Sequence, residues 1–469
     1  MSDLDVGKLT SVDAHGDRLY IIPAEVKGFF RKHRNWTQAI LILIFLVLPW
    51  TKVGGHQTIL LDIPNREFNI FGVLFRAHDA PLMFFLIAGG ALTLAFVTSV
   101  WGRVWCGWAC PQTVFIDGVY RRIEQLIEGN YLQRKALRSA PMSTNKLVKL
   151  VSKWFLFIAV SSIIAHSFVA YFVGAENLLD IIQGSPANNW TLFIIVSFFT
   201  AIFIFDFVWF REQFCVIMCP YGRIQGLLYD NKTMTVAYDQ KRGEPRRGTV
   251  DAKDQKQGDC VSCGKCVAAC PTGIDIRNGL QIECIACTAC IDACDEIMEK
   301  VKKPKGLIRY ATLDGSKIDL KKPRSLLYLL AIVACAVGLT YNLVGREPSH
   351  VALMRAKGVP YSTTKLADGT EKILNHFKLH ITNQAKVDQK YSVDLPQELK
   401  DQGLELIIPQ NPLTLTPGVF HEWHFFVRAP KELFANSNQV KSHVIIADPD
   451  NAQNFSVKRE FIILGPHAQ

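Results

Sequence analysis

Five long apolar stretches interrupt a chain whose other segments are rich in polar residues. Crossing a bilayer core of about 30 Å takes about 20 apolar residues in a helix, and each stretch is close to that length. Buried helices of a soluble protein are the alternative, and the interfacial flanks Trp36 and Trp50 argue against it. We therefore predict an α-helical membrane bundle of about five spans: Trp36 to Val53, Ala80 to Val100, Val151 to Val173, Trp190 to Phe210 and Leu326 to Val344.

The chain beyond Gly345 has a different pattern, in which apolar and polar residues alternate over short runs. Examples are "HFKLHITNQ", "LELIIP" and "SHVIIADP", and Asn, Asp, Gly and Pro separate them. Alternation with a period of two is typical of half-buried strands, and regular turn signals between them favour a sandwich. We predict an all-β immunoglobulin-like domain in this part of the chain.

Lysine and arginine are concentrated in particular connections between the apolar stretches. The formal net charge of +10 would suit nucleic acid, anionic lipid or membrane topology, and its placement in loops favours topology. Residues 27–34 and the connection between the second and third spans are strongly basic, whereas residues 174–189 contain no Lys or Arg. Because cytoplasmic flanks are enriched in positive charge, we expect the N-terminus inside, without a cleavable signal, and the C-terminus outside.

Eight of the 13 cysteines follow a repeated spacing in one hydrophilic segment. The C-x2-C-x2-C-x3-C spacing is typical of ferredoxins, in which the fourth cysteine of each run binds the other cluster. We therefore predict two 4Fe-4S clusters that store and pass single electrons. Paired zinc knuckles are the alternative, and they leave the third cysteine of each run unexplained. Asp295 follows the fourth cysteine of the second run, at the position where the usual pattern has proline. The predicted ligand sets are Cys260, Cys263, Cys266 and Cys294 for the first cluster, and Cys270, Cys284, Cys287 and Cys290 for the second.

A second cysteine pattern, C-x3-C-P, occurs twice at the cytoplasmic ends of predicted spans. It comprises Cys106, Cys110, Cys215 and Cys219, which suggests a duplicated membrane unit. Proline suits the first turn of a helix, so Cys110 and Cys219 should lie at helix starts, where thiol pKa values fall. Soft sulfur ligands, with Met218 as a further thioether, would favour Cu(I). A copper site, a dithiol relay, a further four-thiolate metal site and simple packing all remain open.

A few isolated residues are weaker candidates. Asp206 lies within the fourth span, where an ionisable group often has a function, although it could pair with Arg211 or Arg103. The histidines His56, His78 and His166 could admit a metal from outside, and Cys335 in the last span fits simple packing.

Together these patterns predict a membrane bundle with an inserted α+β dicluster ferredoxin-like domain and a C-terminal all-β immunoglobulin-like sandwich. The predicted parts are a cytoplasmic N-terminal segment at 1–35, a four-span domain at 36–210, a cytoplasmic ferredoxin-type domain at 211–325, a fifth helix at 326–344 and an outer β domain at 345–469.

The motifs "CGWACP", "CVIMCPYGR" and "CVSCGKCVAACPTGIDIRNGLQIECIACTACIDAC", with five spans and a β-rich tail, resemble the cytochrome c oxidase accessory protein family, known as CcoG, FixG or RdxA. The resemblance extends over nearly the whole chain. It implies a bacterial inner-membrane protein with a periplasmic β domain. It also implies a role in assembling the copper centre of cbb3-type oxidase, by reduction of Cu(II) to Cu(I).

The residues and the resemblance together favour an oxidoreductase, a cupric reductase, with two 4Fe-4S clusters and copper at the C-x3-C-P cysteines. The expected partners are a cytosolic electron donor, a copper transporter or chaperone, oxidase subunits or assembly factors, and a second copy in a homodimer, but no nucleic acid. The alternatives are a quinol-linked membrane ferredoxin serving a periplasmic reductase and a non-catalytic assembly scaffold.

Overall fold

A computed structural model describes residues 20–75, 79–247, 257–312, 319, 322–345, 349–365, 370–385, 387–416, 418–435, 437–450 and 455–466. The chain divides into two compact units, Met1–Tyr341 and Asn342–Gln469. Each is described separately below.

The first unit is mainly helical. Its helices are α1 (Phe29–Val47), α2 (Ala80–Trp101), α3 (Val104–Trp108), α4 (Pro111–Phe115), α5 (Arg121–Glu128), α6 (Tyr131–Ser139), α7 (Thr144–Val173), α8 (Ala175–Gln183), α9 (Trp190–Ile204), α10 (Pro220–Leu228), α11 (Gln240–Gly243), α12 (Lys265–Ala268), α13 (Ala289–Lys300) and α14 (Pro323–Val344). Short 3-10 or π-helical turns occupy Leu48–Trp50, Ile116–Tyr120, Pro186–Asn188, Phe205–Phe210, Phe214–Met218 and Ile276–Asn278.

Four helical segments in the described part of the chain are long and apolar enough to cross a membrane: Ala80–Trp101, Thr144–Val173, Trp190–Phe210 and Pro323–Val344. They contain the second to fifth predicted spans, and they make this a membrane protein. The low internal burial of three of them leaves apolar side chains such as Phe84, Phe198 and Leu330 exposed, as lipid contact requires.

The first predicted span is shorter than expected. Helix α1 ends at Val47, the chain continues through one 3-10 turn, and Val53 pairs with His56 in a hairpin of β1 (Lys52–Val53) and β2 (His56–Gln57). The predicted end at Val53 is therefore wrong, because the apolar run is broken by Pro49 and followed by two glycines that favour a turn. Whether α1 spans the membrane stays a prediction. An antiparallel sheet follows, of β3 (Ile59–Asp62), β4 (Glu67–Ile70) and β5 (Val73–Phe75).

The cysteine-rich segment packs on a two-stranded antiparallel sheet of β6 (Met234–Tyr238) and β7 (Ile308–Thr312). A small core of Val236, Ile291, Met298 and Leu307 lies beneath it. Helix α13 fixes this segment to α1, because the buried carboxylate of Asp292 accepts the backbone N–H groups of Phe30 and Arg31 in the first turn of that helix, at 3.2 and 2.6 Å. A carboxylate stabilises a helix N-terminus by satisfying its free donors and opposing its positive end.

The second unit contains two antiparallel sheets, which confirms the predicted β-rich tail. One sheet has the order β12-β14-β10-β8 with β9 paired to β10, and the other has the order β13-β11-β15-β16. The strands are β8 (Ser349–Arg355), β9 (Ser362–Lys365), β10 (Glu371–Asn383), β11 (Gln389–Asp394), β12 (Glu405–Ile407), β13 (Leu413–Leu415), β14 (Phe420–Pro430), β15 (Gln439–Ala447) and β16 (Ser456–Leu464), with helix α15 at Gln397–Asp401.

The interior of this unit is formed by alternate residues of both sheets, such as Phe377, Phe425 and Ile463. Buried Asn375 joins the sheets, because its side chain bonds both the carbonyl and the N–H of Leu464 at 2.9 Å. The second unit is therefore a packed sandwich of the type that the alternating pattern predicts.

Candidate iron–sulfur and cysteine site

The eight ferredoxin-type cysteines surround two cavities. Cys260, Cys263, Cys266 and Cys294 line one cavity. Cys270, Cys284, Cys287 and Cys290 line the other, together with Cys266. The grouping by cavity is the same as the two predicted ligand sets, with Cys270 and Cys294 exchanged between the runs.

The two cysteine runs have the same backbone conformation. Ser262 and Gly264 in the first run have positive φ angles of 56° and 69°, and Ala286 and Thr288 at the same places in the second run have 51° and 63°. Positive φ is unfavourable for residues with a side chain and persists only where the surroundings enforce it. These turns bend each loop around its cavity, so that successive thiols point inward.

Burial favours the protonated form of two cavity thiols, Cys284 and Cys266, when no metal is bound. It raises the pKa of Cys284 to about 12 and that of Cys266 to about 11. A coordinating metal deprotonates a thiol outright, so iron would supply the positive charge that this environment lacks.

The donor arrangement also bears on the choice between iron–sulfur clusters and zinc. In the described residues, no three His, Cys, Asp or Glu side chains converge closely enough to hold one metal ion. A zinc site requires such convergence, whereas a cubane places a different iron against each thiolate. Four thiols spread around a cavity therefore fit a 4Fe-4S cluster better than a single ion.

The C-x3-C-P cysteines lie at the helix starts that the sequence predicts. Cys110 is the N-cap of α4 with Pro111 in its first turn, and Cys219 is the N-cap of α10 with Pro220 in its first turn. The N–H of Gly222 points to the Cys219 sulfur at 3.4 Å. The side-chain amide of Gln225, which is fully buried, points to the Cys106 sulfur at 3.4 Å.

The predicted lowering of the thiol pKa is wrong for Cys110. Burial raises its pKa and outweighs the backbone N–H groups of Gln112 and Thr113, which act in the opposite direction. Burial also raises the pKa of Cys106 to about 11. The loss of water around these sulfurs is thus a larger effect than the helix N-terminus.

The fold brings the two C-x3-C-P motifs together. Burial is the largest cause of the raised pKa of Cys215. The neighbouring thiols Cys110, Cys106 and Cys219 raise this pKa further through their charge. The four sulfurs therefore share one partly buried environment. They are free thiols here, and as with the other described donors no three of them converge on one point.

This thiol group adjoins the second cluster cavity through Gly107. A Cβ atom at Gly107 would lie 2.6 Å from the carbonyl oxygen of Ala286 and 2.7 Å from that of Ile285. Only glycine permits this close approach between α3, which carries Cys106, and the loop between Cys284 and Cys287. The residue next to a thiol of the first motif therefore touches the backbone that surrounds the second cavity.

Two buried arginines fasten the same junction. Arg34 donates to the carbonyl of Gly107 at 2.8 Å and to that of Cys287 at 3.3 Å. Arg103 donates to the carbonyl of Cys284 at 3.3 Å and to that of Gly222 at 2.9 Å. Each arginine thus joins a ligand loop of the second cavity to one C-x3-C-P motif.

Sequence reasoning missed Arg34, Arg103 and Gln225 as site residues. Arg34 was counted only as a topology signal, and Arg103 as a topology signal and a possible partner of Asp206, because loop charge and a buried charge look the same in one sequence. The spacing of Arg103 three residues before Cys106 was a usable signal, since it places both on one short helical turn.

The weaker candidates have ordinary partners. Asp206 accepts a hydrogen bond from Gln112 at 2.9 Å, whereas Arg211 pairs with Glu124 and Arg103 binds backbone carbonyls, so neither predicted ion pair forms. His166 bonds the carbonyl of Ser162 in its own helix at 2.7 Å.

The remaining candidates are not assembled into a site in the described part of the chain. His56 is exposed in the β1–β2 hairpin, Met218 is 60% exposed, and His78 lies outside the described residues. Cys335 faces α2, where a Cβ at Gly89 would meet its Cβ at 3.7 Å.

Comparison with known protein families identifies three matched regions. A 4Fe-4S dicluster domain matches residues 210–313, a 4Fe-4S binding domain matches residues 82–130, and an IG-like fold at the C-terminal of FixG matches residues 339–466. The second region contains Cys106 and Cys110. These matches confirm the predicted fold class and the iron–sulfur character of the protein.

Several known proteins are similar to this chain over most of their length. The nitrogen fixation protein FixG of Rhizobium meliloti is 37% identical over 96% of this chain and 93% of its own. RdxA of Cereibacter sphaeroides is 34% identical over 80% and 82%, and RdxB of the same organism is 33% identical over 87% and 88%. With its dicluster segment, apolar helices and β sandwich, the chain belongs to the FixG/RdxA family and is a membrane-associated, ferredoxin-type iron–sulfur electron-transfer protein.

Proposed function

We propose that this protein is a cupric reductase, which passes electrons from two 4Fe-4S clusters to Cu(II) at the four C-x3-C-P cysteines. The observation that carries the proposal is the contact of Gly107 with the loop between Cys284 and Cys287. It sets a thiol of the proposed copper site beside the second cluster cavity. If the C-x3-C-P cysteines served packing alone, this contact between Gly107 and the loop from Cys284 to Cys287 would not be needed.

The ligand assignment rests on the two cavities. Cys260, Cys263, Cys266 and Cys294 would hold the first cluster, and Cys270, Cys284, Cys287 and Cys290 the second. Bound there, the clusters supply one-electron redox chemistry. The loops bury the thiols of Cys260, Cys266 and Cys287. Arg34 and Arg103 hold the second loop against the C-x3-C-P motifs.

Copper is the substrate at the second site. Thiolates are soft ligands and stabilise Cu(I) relative to Cu(II), so binding there favours the uptake of one electron. Each Cu(II) ion takes one electron and becomes Cu(I). The four sulfurs share one partly buried environment.

The orientation follows from loop charge. We infer that the N-terminus and residues 211–325 lie in the cytoplasm and that the β domain lies in the periplasm, because Lys and Arg are concentrated in alternate connections. A phosphatase fused after Gln469 should then be active and one fused after Arg247 inactive. The reverse pattern would contradict the five-span topology.

The product would serve assembly of the copper centre of a cbb3-type oxidase, as the family resemblance implies. The partners on this hypothesis are a copper transporter or chaperone and oxidase subunits or assembly factors. The β domain offers a surface outside the membrane on which such proteins could assemble.

The test is Cu(II) reduction by protein purified without oxygen, followed with a Cu(I)-specific chelator. The variant with Cys106, Cys110, Cys215 and Cys219 all changed to Ser should lose Cu(II) reduction and keep its iron content and cluster spectra. Cys335→Ser is the matched control, since this thiol lies in α14 against α2.

Undiminished reduction in the fourfold variant would exclude these cysteines as the copper site. Oxidation of a quinol by the wild-type protein, without Cu(II) reduction, would favour the quinol-linked alternative. Absence of both activities from wild-type protein with intact clusters, together with loss of oxidase assembly on deletion of the β domain, would favour the scaffold.

A further inference from the structure

A strongly basic cleft of about 470 Å3 lies beside the second cluster cavity. Its walls are the segment before α1, the first turns of α1, helix α5 and parts of both cysteine runs. Seven of the lining side chains are Lys or Arg and two are carboxylates, Glu25 and Asp117. The cleft thus has a formal surplus of five positive charges.

The buried part of this charge is organised around one carboxylate. Asp117 pairs with Arg31 at 2.5 Å, with Arg34 at 2.7 Å and with Arg121 at 3.4 Å. Burial opposes ionisation of Asp117, but these three guanidinium groups hold its pKa well below the usual range. Three other pairs extend this network: Arg121 with Glu212, Arg134 with Glu25 and Arg134 with Glu124.

The exposed part of the charge is not balanced. Lys27, Lys32 and Arg122 are exposed, and within the described residues none of them forms an ion pair. Arg122 donates to the neutral side chain of Asn35 at 2.6 Å. A topology signal requires basic residues in a loop but not their convergence on one cleft.

The cleft reaches the ligand loops of the second cluster. Ala269 and Pro271, which flank Cys270, form part of its wall, and so does Ala289, which precedes Cys290. A molecule seated in the cleft would therefore lie one residue away from two of the four cysteines assigned to that cluster.

The surface near the first cluster has a different charge balance. Cys263 is exposed there, but Lys265 and Lys300 both pair with Glu296, at 3.2 and 2.5 Å. An anionic partner would gain little at this surface, whereas the cleft offers unpaired positive charge that steers association.

From this contrast we propose that the basic cleft is the docking site of an acidic one-electron carrier protein, of the ferredoxin or flavodoxin class. The carrier is oxidised by one electron, which enters the cluster held by Cys270, Cys284, Cys287 and Cys290. The loop that would hold this cluster contacts Gly107, next to Cys106, so an electron entering here would arrive beside the C-x3-C-P site. The inference rests on the proposed electron-transfer function, and it does not depend on the identity of the final acceptor.

The test uses the full-length, cluster-loaded protein and a reduced acidic plant-type ferredoxin as the probe. The variant Lys27→Glu/Lys32→Glu/Arg122→Glu is compared with the matched control Lys265→Glu/Lys300→Glu. Stopped-flow absorbance follows cluster reduction at low and high salt. Electrostatic steering changes association rates by about 10-fold to 1,000-fold, so the cleft variant should be reduced at least tenfold more slowly at low salt. Reduction by photoreduced deazariboflavin, which is small and uncharged, should be the same in all three proteins.

A second measurement does not depend on turnover. Carbodiimide couples lysines directly to the carboxylates of a bound partner, and mass spectrometry locates the products. Coupling at Lys27 and Lys32 supports the cleft, whereas coupling only at Lys265 and Lys300, or equal slowing of the control variant, overturns it. Reduction that is independent of salt also overturns it.

Two further outcomes distinguish the docking site from a lipid-binding site and from the proposed cupric reductase function. Loss of binding to phosphatidylglycerol vesicles in the cleft variant, with an unchanged rate of reduction by ferredoxin, would assign the cleft to lipid head groups and overturn the proposal. If ferredoxin reduces the clusters through the cleft but Cu(II) is not reduced, the proposed function fails and the docking site stands.

Discussion

The two groups of cysteines in this protein are positioned in different ways. The eight cavity cysteines lie on two loops whose shape is set locally, by repeated positive φ angles at Ser262, Gly264, Ala286 and Thr288. The four C-x3-C-P cysteines are brought together by tertiary packing of two helix starts that are more than 100 residues apart. Three cysteines of each cavity thus lie on one short loop and the fourth comes from the other run, whereas the second site depends on contacts such as that of Gln225 with Cys106.

The largest expected effect concerns the exchange of ligands between the two loops. Cys294→Ser should remove the cluster of the first cavity, because Cys294 lines that cavity with Cys260, Cys263 and Cys266. Iron content should fall by about half, since each 4Fe-4S cluster has one full set of four cysteine ligands. Iron analysis and electron paramagnetic resonance measure the result.

Cys270→Ser is the matched variant for the second cavity. It should remove the other cluster, although Cys270 belongs to the first run. If each variant instead damaged the cluster of its own run, each run would hold its own cluster independently. The contrast with the C-x3-C-P site, which two distant segments assemble, would then be sharper.

The next effect tests the junction between the two groups. Gly107→Ala should slow electron transfer from the clusters to the C-x3-C-P site while both clusters remain, because its Cβ would meet the Ala286 and Ile285 carbonyls at 2.6 and 2.7 Å. Overpacking of this kind costs about 1–3 kcal/mol. Single-turnover kinetics after partial reduction, with thermal loss of cluster absorbance, would measure both effects.

Gly90→Ala is the matched control, since a Cβ at Gly90 meets nothing within 4 Å. This variant should have normal kinetics and unchanged stability. Equal slowing in both variants would show that the Gly107 junction has no special role.

The difference between the two groups also explains what the sequence could predict. The ferredoxin spacing predicted two ligand sets that coincide with the grouping of the eight cysteines around two cavities, because the chemistry of a cubane constrains that spacing directly. The helix starts at Pro111 and Pro220 were predictable because proline fixes a local conformation. The alternating pattern likewise predicted the β sandwich, since its period reports which face is buried.

Properties that depend on packing were not predictable in the same way. The pKa of Cys110 was expected to fall, but burial by distant segments raises it. Arg34 and Arg103 were interpreted as loop charge, although they donate to buried carbonyls near Cys287 and Cys284. The end of the first span was missed by six residues, because apolar composition continued past the last helical residue at Val47.

A smaller effect tests the burial of the second group. In the cluster-loaded protein, Cys106 should react slowly with iodoacetamide near neutral pH, because burial raises its pKa to about 11. A raised pKa keeps the protonated thiol as the main form, so the rate should rise about tenfold for each pH unit up to the pKa. Mass spectrometry of labelled peptides measures the profile. A plateau below pH 9 would contradict the burial argument.

The smallest effect concerns the residue that follows the fourth cysteine, which is proline in the first run and aspartate in the second. Pro271 follows Cys270 and α12 ends before it, whereas Asp295 follows Cys294 inside α13, which continues to Lys300. Proline at 295 would remove a helical N–H and clash with the preceding turn, so the departure from the usual pattern keeps this helix intact.

The Asp295 carboxylate also accepts the N–H of Gly306 at 2.8 Å. Asp295→Ala should therefore lower stability by about 1 kcal/mol and leave both clusters in place, and Asp295→Asn should retain most of the stability because its side-chain oxygen can still accept the bond. Anaerobic thermal denaturation followed by cluster absorbance measures the difference, and a lost cluster in Asp295→Ala would mean that this residue acts on the ligand loop itself.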